Sequence, residues 1–148
     1  MERQQFKIEI NAPAAKVYNT MLGEETYKKW TAVFMPSSYY EGSWEKGQKI
    51  LFIAVGKDGK REGMMGVIEE NIPDKYVSIK YTGIVDGDKE ITEGSLVGDW
   101  IGAYEIYSFE EQDGKTTLII DVDVLDEYKE YFEKTYPKAL EKLKEISE

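Results

Sequence analysis

Histidine and cysteine are both missing from the 148 residues of this chain. Without histidine there is no Ser-His or Cys-His nucleophile and no imidazole to hold a metal. Without cysteine there is no thiolate ligand and no disulfide. Any chemistry has to come from Asp, Glu, Lys, Tyr, Ser or Thr, and neither a cofactor nor a metal is expected. Long apolar runs are missing too. The longest is Ile50 to Val55, far short of the roughly 20 residues that cross a bilayer as a helix. The opening Met1-Glu2-Arg3-Gln4-Gln5 lacks the apolar centre of a secretory leader. Basic residues are in the minority, 19 Lys and Arg against 29 Asp and Glu, for a formal net charge of −10. Such a surface repels phosphate backbones and anionic lipid headgroups. Together these absences predict a cytoplasmic protein that binds neither nucleic acid nor membrane.

What is present is a well-stocked core. Apolar residues make up 41% of the chain and aromatic residues 13%, with tyrosine the main aromatic at 11 copies. That composition excludes disorder, and the length suits one domain, expected to span residues 1–148. Phe6, Ile8 and Ile10 alternate with Lys7 and Glu9, the pattern of a half-buried strand. Asn11-Ala12-Pro13 then stops it, with Asn11 or Ala12 placed to cap a helix whose first residue is Pro13. Val17, Tyr18, Met21 and Leu22 follow at helical spacing, and Gly23 ends this helix. Glu24 to Trp30 is a second short helix, acidic at its start and basic at its end, as the helix dipole favours.

From residue 39 the pattern changes to strands. Candidates are Tyr39 to Trp44, Ile50 to Val55, Met64 to Asn71, Tyr76 to Ile84, Asp99 to Glu110 and Thr116 to Val124. Turn sequences separate them, among them Lys57-Asp58-Gly59-Lys60 and Gln112-Asp113-Gly114-Lys115. Residues 89–98 read as part strand and part loop. Asp126 is placed to cap a last helix, on which Tyr128, Phe132, Tyr136, Ala139, Leu140, Leu143 and Ile146 form an apolar stripe. Pro137 removes one hydrogen bond inside it and predicts a kink or a restart near Tyr136. The order is strand, two short helices, about six further strands, long helix. It predicts an α+β fold in which an antiparallel sheet curls over the only large apolar partner available, the C-terminal helix.

This order, with Ile8-Glu9-Ile10-Asn11-Ala12-Pro13, Val17-Tyr18, Trp30, Gly42-x-Trp44-x-x-Gly47, Gly66-Val67-Ile68-Glu69, Ile72-Pro73-Asp74-Lys75 and Asp113-Gly114-Lys115-Thr116, resembles the START-like, or SRPBCC, superfamily with its helix-grip fold. Within it the chain is similar to the family related to the activator of the ninety-kilodalton heat-shock protein ATPase. The resemblance covers nearly the whole chain and rests on turns and core positions. It implies a cavity between sheet and helix that often holds an apolar ligand, and it brings no universal catalytic residue. A separate chaperone-binding domain is not expected, since the chain ends at Glu148.

Trp30, Phe34, Met35, Tyr40, Phe52, Met64, Tyr81, Trp100, Tyr104, Tyr107 and Phe132 are the candidates to line such a cavity. For any one of them plain core packing is the competing reading. As a set they combine apolar area with hydroxyls that need a partner when buried, and with adaptable thioethers. The last hairpin adds a carboxylate. With Asp113-Gly114 as a two-residue turn, Phe109 faces Leu118, Tyr107 faces Ile120 and Glu105 faces Val122. Leu118, Ile120, Val122 and Val124 must point inward, which puts Glu105 on the inner face unless a β-bulge shifts the register. There its pKa would rise or it would find a partner. Three functions follow in order of preference. The first is binding of a hydrophobic or aromatic small molecule without catalysis. The second is contact with a chaperone or a second copy of the chain. The third is a cyclase- or aromatase-type reaction with Glu105 as base, helped by Tyr104 or Tyr107.

Overall fold

A computed structural model describes residues 1–94 and 97–148 of the chain. The alternating first segment forms β1 (Glu2–Ile10), and α1 (Ala14–Leu22) and α2 (Glu24–Thr31) follow it. The strands β2 (Tyr39–Gly42), β3 (Lys49–Val55), β4 (Arg61–Ile72), β5 (Tyr76–Asp86), β6 (Lys89–Ile91), β7 (Tyr104–Gln112) and β8 (Lys115–Val124) come next, and α3 (Lys129–Ser147) closes the chain. All eight strands join one antiparallel sheet in the order β1-β8-β7-β5-β4-β3-β2, with β6 paired to β5 beyond the end of β7. The outermost strands are therefore β1 and β2. The two short helices carry the chain from one of these edges to the other, and α3 packs against β1, α1 and α2.

The turn chemistry sets the register where it matters. Asp113 and Gly114 both take positive φ, 54° and 77°, the backbone that a two-residue hairpin needs. Glu105 then pairs with Val122, Tyr107 with Ile120 and Phe109 with Leu118, as the sequence predicts. Every second residue of β8 from Thr116 to Val124 is buried. No bulge interrupts this pair. The irregularities fall in β4 instead, at Met65/Gly66 and Ile68/Glu70 against β5. Bulges bend a strand and increase its twist, so they help the long central strands curl. Gly63 adds to this on the β3 side. A Cβ there would lie 1.9 Å from the Phe52 carbonyl oxygen, so only glycine permits the approach of the two backbones.

Several expectations need correction. Asp99 to Glu110 is not one strand: Gly98–Trp100 is a 3-10 turn and β7 starts at Tyr104. Gly98 and Gly102, at φ 24° and 92°, break the extended path before it. Of residues 89–98, the first three form β6, and Ser95 and Leu96 lie outside the described residues. The strand expected to reach Trp44 ends at Gly42, where φ is 108°. Pro13 caps α1 rather than opening it, and the N–H of Ala14 donates instead to Glu111 Oε1 at 2.7 Å. Asp126 begins a 3-10 turn and makes no capping bond. Nor does the last helix restart near Tyr136. It runs from Lys129 through Pro137 to Ser147. Pro137 is exposed, so the carbonyl it leaves unpaired sits on the solvent side of the helix.

Tyr136, Ala139, Leu140 and Leu143 are the buried face of α3. Opposite them lie Ile10 and Val17 together with the inward residues of β7 and β8, all in one continuous core. The Tyr136 ring stacks on Phe6 at 4.9 Å between centroids.

Candidate functional site

The core is not filled throughout. Between the inner face of the sheet, α2 and the N-terminal half of α3 lies a pocket of about 550 Å³. That is within the range of sites that take small organic molecules. Period-two alternation on β7 and β8 brings Glu105, Tyr107, Val122 and Val124 to it, the curl of β4 and β5 brings Tyr81, and helical spacing on α3 brings Tyr131, Phe132 and Tyr136, with Tyr128 in the 3-10 turn just before that helix. Eleven of its lining residues are aromatic.

Of the residues singled out from the sequence, Trp30, Phe34, Met35, Phe52, Met64, Tyr81, Trp100, Glu105, Tyr107 and Phe132 all line this pocket. They do so at different depths. Trp30, Phe52, Tyr81 and Tyr107 are buried, whereas Met35 and Met64 are exposed and stand at the rim with Tyr128 and Tyr131. Trp100 stacks on Tyr81 with centroids 4.9 Å apart. Tyr40 and Tyr104 are corrections. Tyr40 donates its hydroxyl to the Leu22 carbonyl at 2.7 Å and packs edge-on against Tyr27, behind the pocket wall. Tyr104 is the strand neighbour of Glu105, so its side chain leaves by the opposite face, where its hydroxyl pairs with Glu69. It cannot assist Glu105.

Glu105 is the ionisable carboxyl at depth among the described residues of the pocket. Tyr81 Oη donates to its Oε1 at 2.5 Å, Tyr136 Oη donates to its Oε2, and the Tyr107 hydroxyl adds a third favourable interaction. These three groups come from β5, α3 and β7. Burial raises the carboxyl pKa, and the three hydroxyls lower it. The net direction is upward, so burial dominates. The same environment lifts Tyr81, Tyr107 and Tyr136 well above the ordinary phenol range, chiefly through burial and then through the adjacent carboxylate. Glu105 lies deep in the fold yet is only half-buried by accessible area. The difference is the pocket, onto which its free edge opens.

Tyr136 and Tyr27 also line the pocket, and the sequence does not single them out. Tyr136 belongs to the α3 stripe, which reads as core. The signal that points to it is the carboxylate itself: an inward Glu105 demands donors, and tyrosines on facing elements are the available ones. Among the described residues no cluster of three His, Cys, Asp or Glu side chains is placed to hold a metal ion.

The sheet curled over α3 is the helix-grip arrangement of the START-like class. The sequence matches the family described as Activator of Hsp90 ATPase homolog 1-like protein over residues 11–148, and the chain belongs to that family. Solved structures agree on the fold. The Aha1 dimer from Colwellia psychrerythraea is 18% identical, with a TM-score of 0.71 over 100% of this chain and 97% of that one. Protein NE0264 from Nitrosomonas europaea is 14% identical, with a TM-score of 0.74 over 97% and 92%. CalU16 from Micromonospora echinospora is 14% identical, with a TM-score of 0.67 over 98% and 75%. At such identities the likeness is one of fold. No curated protein matches the sequence. No described helix is long and apolar enough to cross a membrane.

Proposed function

We propose that this protein binds a small, largely apolar or aromatic molecule in the pocket between sheet and C-terminal helix, and that it does so without transforming it. The observation that carries this reading is the pocket: about 550 Å³ walled by aromatic rings inside an otherwise packed core. Natural cores pack at the density of organic crystals, whereas here aromatic side chains border a solvent-accessible cleft that an apolar molecule would fill with contacts. The interior offers little for catalysis. Among the described residues Glu105 is the only acid or base at depth in the pocket, and its neighbours are tyrosines whose raised pKa values keep them protonated. Glu105 therefore has no second group at depth that exchanges protons near neutral pH to act with it. The test is titration with the neutral fluorophore N-phenyl-1-naphthylamine, paired with native mass spectrometry of gently purified protein. Saturable uptake at one site, with quenching of Trp30 and Trp100, is expected. No uptake up to the solubility of the probe, and no retained mass, would overturn the reading.

A second reading, self-association, is favoured by the dimer of the Colwellia relative. Sedimentation velocity at micromolar concentration tests it, and a single monomeric species across a hundredfold dilution series would remove it.

A further inference from the structure

The sign of the charge around the pocket goes beyond its shape. Among the described residues its lining contains no lysine and no arginine, and its charged residues are Glu62, Glu105, Asp123 and Glu127. Asp123 is already matched, since its carboxylate accepts from Arg3 Nε at 2.8 Å and from the Tyr104 N–H at 2.9 Å. Glu62 and Glu127 are exposed, so they edge the mouth. Glu105 stands alone at depth, with no cation among the described residues of the lining. Tyr81 and Tyr136 each occupy one of its oxygens, and the Tyr107 hydroxyl adds a third interaction. A carboxylate offers about four acceptor positions, so its edge toward the pocket keeps acceptor capacity. The surrounding walls carry the rings of Trp30, Phe52, Tyr81 and Trp100. Aromatic faces attract cations and do nothing for anions.

We propose that the natural occupant is a hydrophobic organic cation, a protonated amine or quaternary ammonium carried on an apolar body, with its charge directed toward Glu105. This rests on the pocket being a ligand site, and it names the ligand class. The exclusion is as informative as the preference. A fatty acid or other carboxylate ligand would bring a second negative charge to a buried acid with no base to receive it, and both would lose solvation. The net charge of −10 adds a long-range field that concentrates cations and repels anions.

The cation would also hold Glu105 ionised. Burial holds that carboxyl pKa up while Tyr81, Tyr107 and Tyr136 favour the charged form. Binding of a fixed cation therefore releases a proton below that pKa, and affinity rises with pH until Glu105 is ionised in the free protein. Around it the titratable groups are Tyr81 from β5, Tyr107 from β7, Tyr136 from α3 and Tyr27 from α2. All are phenols raised by burial, so none titrates between pH 5 and 8.

Three probes sharing one body test this: 4-phenylbutyltrimethylammonium, 4-phenylbutanol and 4-phenylbutyrate, titrated into the purified protein by calorimetry and tryptophan quenching. At pH 8 the quaternary ammonium should bind at least ten times tighter than the alcohol, and the carboxylate should bind weakest. The ammonium affinity should rise between pH 5 and 8 while the alcohol affinity stays level. Glu105→Gln should weaken the ammonium at least tenfold and the alcohol less than threefold. The pH series on the unaltered protein keeps the test valid should that variant fold poorly. Equal affinities for ammonium and alcohol, or a preference for the carboxylate, would overturn the cation proposal. It would also fall if none of the three bound while N-phenyl-1-naphthylamine did, and the apolar pocket would then survive. Failure of that neutral probe as well would remove both.

Discussion

Glu105→Gln has a second consequence, visible in the folding of the unliganded protein. In the unfolded chain a glutamate titrates near about 4.3. In the native fold burial moves Glu105 upward. Between the two values the native state holds more protons than the unfolded state, so the contribution of Glu105 falls as pH rises through this window. Below the unfolded value its contribution is fully present, and above the folded value the loss is complete and constant. Glutamine is close in shape to protonated glutamic acid and carries no charge at any pH. Its amide oxygen keeps one tyrosine donor, and its NH₂ can donate to the other hydroxyl once that group rotates. The variant should therefore match the native protein near pH 4 and become relatively more stable toward pH 8. The gain should be about 1.4 kcal/mol for each pH unit that lies between the unfolded and folded pKa values. Urea unfolding of both proteins at pH 4, 6 and 8 and constant ionic strength, followed by tryptophan fluorescence, measures the difference. The acids with depressed pKa values, Glu70, Asp123 and Glu148, are common to both proteins and cancel. If the difference moved the other way, with the native protein gaining on the variant as pH rose, the three hydroxyls would outweigh burial and the direction argued for Glu105 would be wrong.

The packing sets four further outcomes. Gly63→Ala should lower stability by at least about 2 kcal/mol, the upper part of the range for overpacking, because its Cβ would meet the Phe52 carbonyl oxygen at 1.9 Å; an unchanged urea midpoint would show that β3 and β4 can separate freely. Glu111→Ala removes the acceptor for the first amide of α1 and should cost about 1 kcal/mol, as loss of a helix cap does, read from the same titration. Leu143→Ala, at a site with 0% exposure, should cost about 2–5 kcal/mol. Phe132→Ala, on the half-buried pocket wall, should cost less while weakening uptake of the neutral fluorophore.

The legible parts of the fold are those that local chemistry dictates. Asp113-Gly114 admits one hairpin geometry, and from that turn and the alternation of β8 the pairing of Glu105 with Val122 follows by counting. The same counting turns Tyr104 outward: adjacent residues of a strand face opposite ways, so with Glu105 inward the Tyr104 side chain leaves by the outer face. Tyr40 is harder to place. It lies on an edge strand, and whether its ring reaches the pocket depends on Tyr27 and Trp44, which pack between. The stretch before β7 misleads because Trp100 and Ile101 look like strand residues, while Gly98 and Gly102 on either side bend the chain. Tyr136 reads as core because its partner Glu105 is 31 positions away, and no local pattern joins the two.

Helical pattern alone also cannot say that α3 has two different halves. Ala139, Leu140 and Leu143 are buried, packed in the core with Ile10 and Val17. Toward its N-terminus Tyr136 is still covered, Phe132 is half-buried, and Tyr131 and Tyr128 are exposed. The stripe continues on the helix, while the sheet beneath it recedes. The bulges of β4 and the close backbones at Gly63 lie on the receding side, where the pocket meets β3 and β4 through Phe52, Ile53, Gly63 and Met64. Rigid packing at one end of α3 fixes the helix, and curvature at the other holds the sheet away from it. The pocket is thus a product of the framework that bends the sheet. Large side chains alone would not leave it, since the rings that line it would otherwise collapse together under the apolar contact energy that holds the rest of the core. Exchanging a rim residue should therefore change what enters the pocket.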